Sequence, residues 1–427
     1  MADLISRVWK QLKNGLFRMF AANILNKIVG MASSMVITRL LTKSEYGIWS
    51  YSLNIYSYLL LVTGLGLLSG AFQFGAESRG TDKEFSYYRF CMNVGLFIDV
   101  ILVSVFIAVC WKAPFSLPEA KPYIIAVIPL LLIEYVMNLL LTILRCESRI
   151  NDYAKILNRN TILLAVGTCA GAVFGIMGVI IGRYMAYGIS LLQVIRHTKK
   201  EIGMMFCVPK IKWRETKPLW HYSLFTGASS ALNCMLYLLD VSMIAALLQN
   251  SSEVAVYKVA TLLPTALAFV PNSVVTCVLP DIVRNRNDHL WLRKNIKRYF
   301  IGLGSLNFLI CSALIIFAPF VIGILSGSQY LEAVYPFRIL TAGYFISGTF
   351  KTFSTNLLAG LRRVNYGLFL SVSAGTCNIV FNYVFIRKYG MVGAAYATFG
   401  TIAVAAVMAF SYLIIIVYVK KEKRKEC

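Results

Sequence analysis

The chain of 427 residues is 58% hydrophobic, has a mean hydropathy of +0.68 and is only 14% charged, against roughly 25% in soluble domains. A soluble protein of this composition could not cover its surface with polar groups, so the sequence reads as a polytopic membrane protein. The net charge of +23 would suggest nucleic acid in a soluble chain; here the bases fall in alternate connectors between apolar runs, the pattern of membrane orientation.

The chain opens on "LISRVWKQLKNGL", which puts Leu4, Ile5, Val8, Trp9 and Leu12 on one face and Arg7, Lys10 and Lys13 elsewhere. That pattern predicts an interfacial amphipathic helix over 1–16. Twelve runs long enough to cross ~30 Å of hydrocarbon follow. They lie at about 17–41, 46–70, 89–111, 122–144, 157–175 and 178–196, then 219–248, 255–280, 299–325, 334–359, 367–386 and 391–419. Of the 42 Lys and Arg, 31 lie at the N-terminus, in the even-numbered connectors and at the C-terminus, and six in the odd-numbered connectors. The positive-inside rule therefore predicts that both termini are cytoplasmic. The expected layout is a bundle over 17–196, a cytoplasmic linker over 197–218, a second bundle over 219–419 and a basic tail over 420–427.

The sequence repeats itself weakly. "TKSEYGIWSYS" (Thr42–Ser52) resembles "NSSEVAVYKVA" (Asn250–Ala260), "SRIN" (Ser148–Asn151) resembles "RRVN" (Arg362–Asn365), and "GIMGVI" (Gly175–Ile180) resembles "GMVGAA" (Gly390–Ala395). The matches keep their order at offsets of 208, 214 and 215. Six spans per half make the halves parallel repeats, a transporter-like plan with a substrate site between them.

Charge within the spans is costly and is expected to face a cavity or a partner. The first span carries Asn23, Lys27, Gly30, Ser34 and Thr38 as one stripe at helical spacing. The seventh carries Thr226, Ser230, Asn233, Tyr237 and Asp240 in the same way; the second carries Gly47, Tyr51, Asn54 and Tyr58. The stripes of the first and seventh spans, each containing a full charge, predict a wet cavity. The stripe Ser371, Gly375, Asn378 and Asn382 of the eleventh span reads instead as helix packing. Embedded bases are Lys27, Arg183, Lys258, Arg338 and Lys351; embedded acids are Asp99, Glu134 and Asp240. The excess of base over acid predicts a path that attracts anions and repels cationic drugs. Pro264 and Pro271, on nearly one face of the eighth span, are candidate hinge residues. "GLGLLSG" reads as a close-packing segment.

No catalytic constellation is visible. His197, His221 and His289 are scattered, no phosphate-binding loop of Walker type occurs, and ten cysteines form neither a CxxC nor a Cys/His cluster. The chain is expected to be no enzyme and to hold no metal or other cofactor.

"RLLTKSEYGIWSYS" after the first span and "NIVFNYVFIRKYGMVGAAYAT" (Asn378–Thr398) near the end resemble the polysaccharide-transporter branch of the multidrug/oligosaccharidyl-lipid/polysaccharide exporter superfamily, and within it the Wzx-type O-antigen or repeat-unit flippases. The resemblance covers essentially the whole chain. It implies an all-α protein of about twelve transmembrane helices in two six-helix bundles, working by alternating access in the bacterial cytoplasmic membrane. The implied substrate is an undecaprenyl-pyrophosphate-linked oligosaccharide, turned to the external leaflet for O-antigen, capsule or exopolysaccharide synthesis. Carried onto this chain, it makes Lys27, Lys258 and Arg39 candidate pyrophosphate contacts, with Arg183, Arg338 and Lys351 in the same cationic path. Tyr51, Asn54, Tyr58 and Asn233 become candidate sugar contacts, with Asn23 and Tyr237 on the same stripes. Asp240, Glu134 or Asp99 would couple the cycle to a proton or sodium gradient. Membrane lipids and the polymerase and chain-length proteins of the pathway are the expected partners, and nucleic acid is not. The rival readings are an ion-coupled drug or metabolite antiporter, which calls for a more acidic cavity, and a membrane polymerase or ligase, which calls for a large external loop.

Overall fold

The computed structural model describes residues 16–112, 114–209, 211–285, 288–361 and 364–419. The predicted interfacial helix (apart from Leu16) and the basic tail lie outside the described residues, as do the side chains of Asn23, Asn233 and Tyr237. Every regular element among the described residues is helical. A run of apolar side chains in hydrocarbon must satisfy its backbone internally, and the helix does so within one segment.

Helix occupies each of the twelve apolar runs. In chain order the helices are α1 (Leu16–Leu40), α2 (Lys43–Val62), α3 (Leu67–Glu77), α4 (Asp82–Lys112), α5 (Lys121–Val127), α6 (Leu130–Cys146), α7 (Ile150–Ala172), α8 (Gly175–His197), α9 (Lys199–Cys207) and α10 (Trp213–Leu248). There follow α11 (Ser251–Ala266), α12 (Phe269–Arg284), α13 (His289–Ile316), α14 (Ala318–Ser326), α15 (Val334–Ile346), α16 (Phe353–Gly360), α17 (Val364–Tyr389) and α18 (Met391–Ile414). By length and composition alone, seven helical segments among the described residues are able to cross a membrane, or eight if the α5–α6 pair, bent by 40°, is one span. Asp152, Lys155 and Arg159 reduce the apolar length of α7, and a π-helical stretch (Ser347–Thr352) separates α15 from α16.

Several runs expected as single helices are broken. The second passes from α2 to α3 through Thr63–Gly66, where Gly64, Leu65 and Gly66 take φ of 54°, 47° and 79°. A left-handed residue bearing a Cβ costs roughly 1–2 kcal/mol; glycine at two of the three positions confines that cost to Leu65. The fourth bends at Ile128–Pro129, where proline supplies no N–H. The eighth breaks at Leu267–Ala268, between Pro264 and Pro271, and the ninth at Phe317.

The described residues fall into two compact units divided between Leu238 and Leu239, so the division lies inside α10, whereas the sequence places its linker at 197–218. In the first unit α7 and α8 pack back to back through Gly167 and Gly171 against Gly182 and Gly178: a Cβ on Gly182 would collide with the Gly167 carbonyl, and one on Gly171 with that of Gly178. Lipid gives helices no hydrophobic reason to associate, so small residues that let backbones approach drive such a pair. Helix α1 joins it through Ser33 Oγ, 3.1 Å from Thr168 Oγ1. In the second unit Gly393 of α18 meets the Phe385 carbonyl of α17 in the same way.

The units also repeat one local device. Thr42 and Glu45 cap α2 reciprocally, with Thr42 N–H donating to Glu45 Oε2 at 2.9 Å and Glu45 N–H to Thr42 Oγ1 at 3.3 Å. Glu45 Oε1 also reaches the surroundings of Gly175, whose φ is +74°. In the second unit Asn250 caps α11, accepting from Ser252 N–H at 2.9 Å. Glu253 accepts the Met391 N–H at 3.3 Å beside Gly390, whose φ is +59°. Each glutamate lies in the first turn of one helix and reaches the left-handed glycine that starts another, matching two of the three sequence repeats.

Candidate functional site

The most developed polar centre is built on Asp240, which is 7% exposed. Its Oδ2 accepts the Tyr257 hydroxyl of α11 at 2.7 Å and the Thr398 hydroxyl of α18 at 2.6 Å. Its Oδ1 accepts the amides of Asn382 and Asn378 of α17 at 2.8 and 3.2 Å. The two asparagines are four residues apart and so project from one helix face. No ion pair among the described residues reaches this carboxylate, so neutral dipoles alone offset its burial, which an isolated charge could not sustain. Asn382 Oδ1 is buried without a donor, and Asn378 Oδ1 accepts from Asn382 at 3.1 Å. The centre is thus rich in oxygen ligands, which suit a proton or a small hard cation such as sodium. Among the described residues no group of three or more His, Cys, Asp or Glu forms a transition-metal site.

The other embedded acids lie in the first unit. Glu134 of α6 accepts the Tyr56 hydroxyl at 2.7 Å, and Tyr187 of α8 interacts with both Glu134 and Arg183. The Arg183 guanidinium stands 5.8 Å from the ring centres of Trp49 and Tyr187, while its Nε is buried without a partner. Asp99 of α4 is fully buried; its Oδ1 accepts the Gly64 N–H at 2.7 Å, which ties the carboxylate to the α2–α3 break. Its Oδ2 has no hydrogen-bond partner. Around this break Gly64 and Gly95 pack against the Tyr135 ring, and Tyr135 donates to the Cys91 carbonyl at 2.6 Å. Gly66 and Gly70 pack against Ser223 of α10. "GLGLLSG" is therefore a close-packing segment, as expected, and also a helix break, which the sequence reading missed.

The bases behave differently. Lys27 is exposed on α1, on the same open stripe as Gly30. Lys258 of α11 and Lys351 of the π-helical stretch are half-buried. Arg338 is exposed and donates through Nε to the Ile315 carbonyl at 3.1 Å, and Arg39 is exposed at the end of α1. Among the described residues no ion pair joins Lys27, Arg183, Lys258, Arg338 or Lys351 to an acid. The ion pairs found lie in the charged connectors: Lys83–Glu215 at 3.7 Å, Arg149–Asp152 at 2.9 Å and Arg149–Glu201 at 2.7 Å.

The polar residues of the second span sit deeper than the rim of an open cleft. Tyr51 and Asn54 are buried, Asn54 donating to the Leu238 carbonyl at 3.1 Å, and Tyr58 is half-buried. At the eighth run Pro271 supplies no N–H, and the Leu267 carbonyl accepts the Val270 N–H at 2.9 Å together with the Tyr344 hydroxyl of α15. Asn378, Asn382, Tyr257 and Thr398 were not anticipated as ligands of Asp240. The spacing of the two asparagines was the only sequence signal for them.

A family model described as "Polysaccharide biosynthesis protein" matches residues 12–286. Among curated proteins none matches the sequence. The fold is similar to the lipid II flippase MurJ in an inward closed conformation, at 17% identity and a TM-score of 0.73, covering 93% of this chain and 87% of that one. It is also similar to an inward-facing multidrug resistance MATE transporter of the MOP superfamily, at 14% identity and a TM-score of 0.67, covering 95% and 98%. A MOP superfamily transporter from Pyrococcus furiosus, described as having a binding pocket of reversed polarity, matches at 14% identity and a TM-score of 0.61 over 94% and 95%.

Proposed function

The chain belongs to the polysaccharide biosynthesis protein family, and from that premise we propose that it is a Wzx-type flippase of undecaprenyl-pyrophosphate-linked oligosaccharide repeat units. It would carry them from the cytoplasmic to the external leaflet by alternating access between two six-helix bundles, with both termini cytoplasmic. The observation that supports this reading is that, among the described residues, no ion pair joins the embedded bases to the embedded acids. Asp240, Glu134 and Asp99 are held by hydroxyl, amide and backbone donors, which leaves the positive charge of Lys27, Lys258 and Lys351 available to an anion. A polyprenyl pyrophosphate has an anionic head that cannot cross hydrocarbon unaided and a tail that stays in lipid; a cationic path open sideways suits it.

Within this reading Lys27, Lys258 and Arg39 contact the pyrophosphate, Tyr51, Asn54, Tyr58 and Asn233 serve the sugar, and Pro264 and Pro271 let the eighth span bend. Asp240 is the coupling group, taking up the proton or sodium ion whose gradient drives the cycle, because its oxygen-rich surroundings fit such an ion better than those of Asp99 or Glu134. The MATE-like likeness fits the rival antiporter as well. The test sets the two side by side in everted vesicles, following lipid-linked oligosaccharide translocation and organic-cation transport with one preparation. Translocation without cation transport is expected; the opposite result would replace the flippase by the antiporter.

A further inference from the structure

The second unit carries an apolar groove of about 390 Å³ that none of the roles above uses. Phe300 and Ile301 of α13 line it together with Phe410 and Leu413 of α18 and Val417 beyond; among the described residues Lys297 is the only charged one lining it. Phe300 and Phe410 meet edge to face, their ring centres 5.1 Å apart, and Phe350 and Phe353 pack behind Phe300, so the aromatic wall is fixed from within. On the outer side Ile301 and Ile414 are exposed, as are Phe308 and Leu309 further along α13. Facing a bilayer, such an apolar groove suits a hydrocarbon chain.

Charge decides which lipid supplies that chain. Arg293, Lys294, Lys297 and Arg298 fall within two turns of α13 with no acid among them. Arg293 Nε donates to the Val417 carbonyl at 3.0 Å, so the basic start of α13 meets the end of the last helix at the mouth of the groove. The basic start of α13 thus stands at one end of an apolar slot. We propose that the groove is a site for an anionic phospholipid of the surrounding bilayer, with one acyl chain between α13 and α18 and the phosphate on Lys297. A Lys or Arg near the surface favours an anionic lipid by about 1 kcal/mol, which is about a fivefold preference for an anionic over a zwitterionic headgroup at this site.

The experiment uses the full chain in lipid nanodiscs with a trace of phosphatidylglycerol or phosphatidylcholine bearing a photoactivatable acyl chain, followed by mass-spectrometric mapping. Phosphatidylglycerol is expected to label peptides spanning 296–301 and 410–417 about fivefold more than phosphatidylcholine. Lys297→Gln should abolish most of that preference while leaving phosphatidylcholine labelling unchanged, which also shows that the variant is folded. Ile301→Trp, which fills the groove from its exposed side, should reduce labelling by both lipids. Equal labelling by the two headgroups, or a preference that survives Lys297→Gln, would overturn the proposal. So would stronger labelling by a photoactivatable polyprenyl phosphate, because the groove would then hold the tail of the transported lipid.

Discussion

Asp240 accepts two hydroxyls and two amides inside the second unit, and its variants separate charge from packing. Asp240→Leu leaves four buried donors without their acceptor, each at a cost of about 1–3 kcal/mol, so the purified variant should unfold several degrees below wild type. Asp240→Asn keeps the volume, and the Tyr257 and Thr398 hydroxyls can turn to suit it. It should therefore fold but transport at a rate indifferent to the ion gradient that stimulates wild type. A fully gradient-responsive Asp240→Asn protein would move coupling elsewhere. A second residue-scale expectation concerns Glu147, in the connector after α6. Partial burial and then the neighbouring Glu84 carboxylate raise its pKa. A carboxyl whose folded pKa is raised favours the fold in its protonated form, and that contribution is lost as pH rises through the folded value. Glu147→Gln should flatten the fall in stability as pH rises above the ordinary carboxylate range, read as unfolding temperature against pH.

At the scale of elements, the helices were legible because composition and run length dictate them in hydrocarbon. The breaks were less so. Glycines in "GLGLLSG" suggest close packing in a membrane helix, and only the approach of Tyr135, Asp99 and Ser223 makes three successive left-handed residues the outcome. The same gap hid the role of Asn378 and Asn382: their shared face was visible, but their target sits on another helix. Prolines were more readable, since a missing N–H frees a carbonyl wherever the helix lies. Pro271→Ala supplies an N–H that competes with the Val270 N–H and the Tyr344 hydroxyl for the Leu267 carbonyl. It should slow transport while leaving thermal stability equal or higher; an unchanged rate would make the break a static feature. The glycine seam between α7 and α8 is purely structural. Gly182→Val places side-chain atoms against the Gly167 carbonyl, and overpacking of that kind costs about 1–3 kcal/mol or more. A lowered unfolding temperature with normal substrate binding would be the signature.

For the whole molecule, the distribution of charge reads more directly than the shape. Bases in alternate connectors predict the orientation, and the five embedded bases against three acids predict the sign of the path. What the sequence could not supply is whether those charges neutralise one another. The acids turn inward to neutral donors while Lys27 stays on the open stripe of α1. The central claim is that this unspent positive charge carries an anionic lipid head across the bilayer. The most direct measurement is leaflet protection in liposomes: purified protein is reconstituted with a labelled polyprenyl-pyrophosphate oligosaccharide, and loss of label to an external sugar-cleaving enzyme is followed over time. Wild type should expose the inner-leaflet label within minutes, empty liposomes should not, and Lys27→Ala should be slowed at least tenfold, the equivalent of about 1.4 kcal/mol. Translocation by Lys27→Ala at the wild-type rate, or none by wild type with several lipid-linked sugars, would contradict the account.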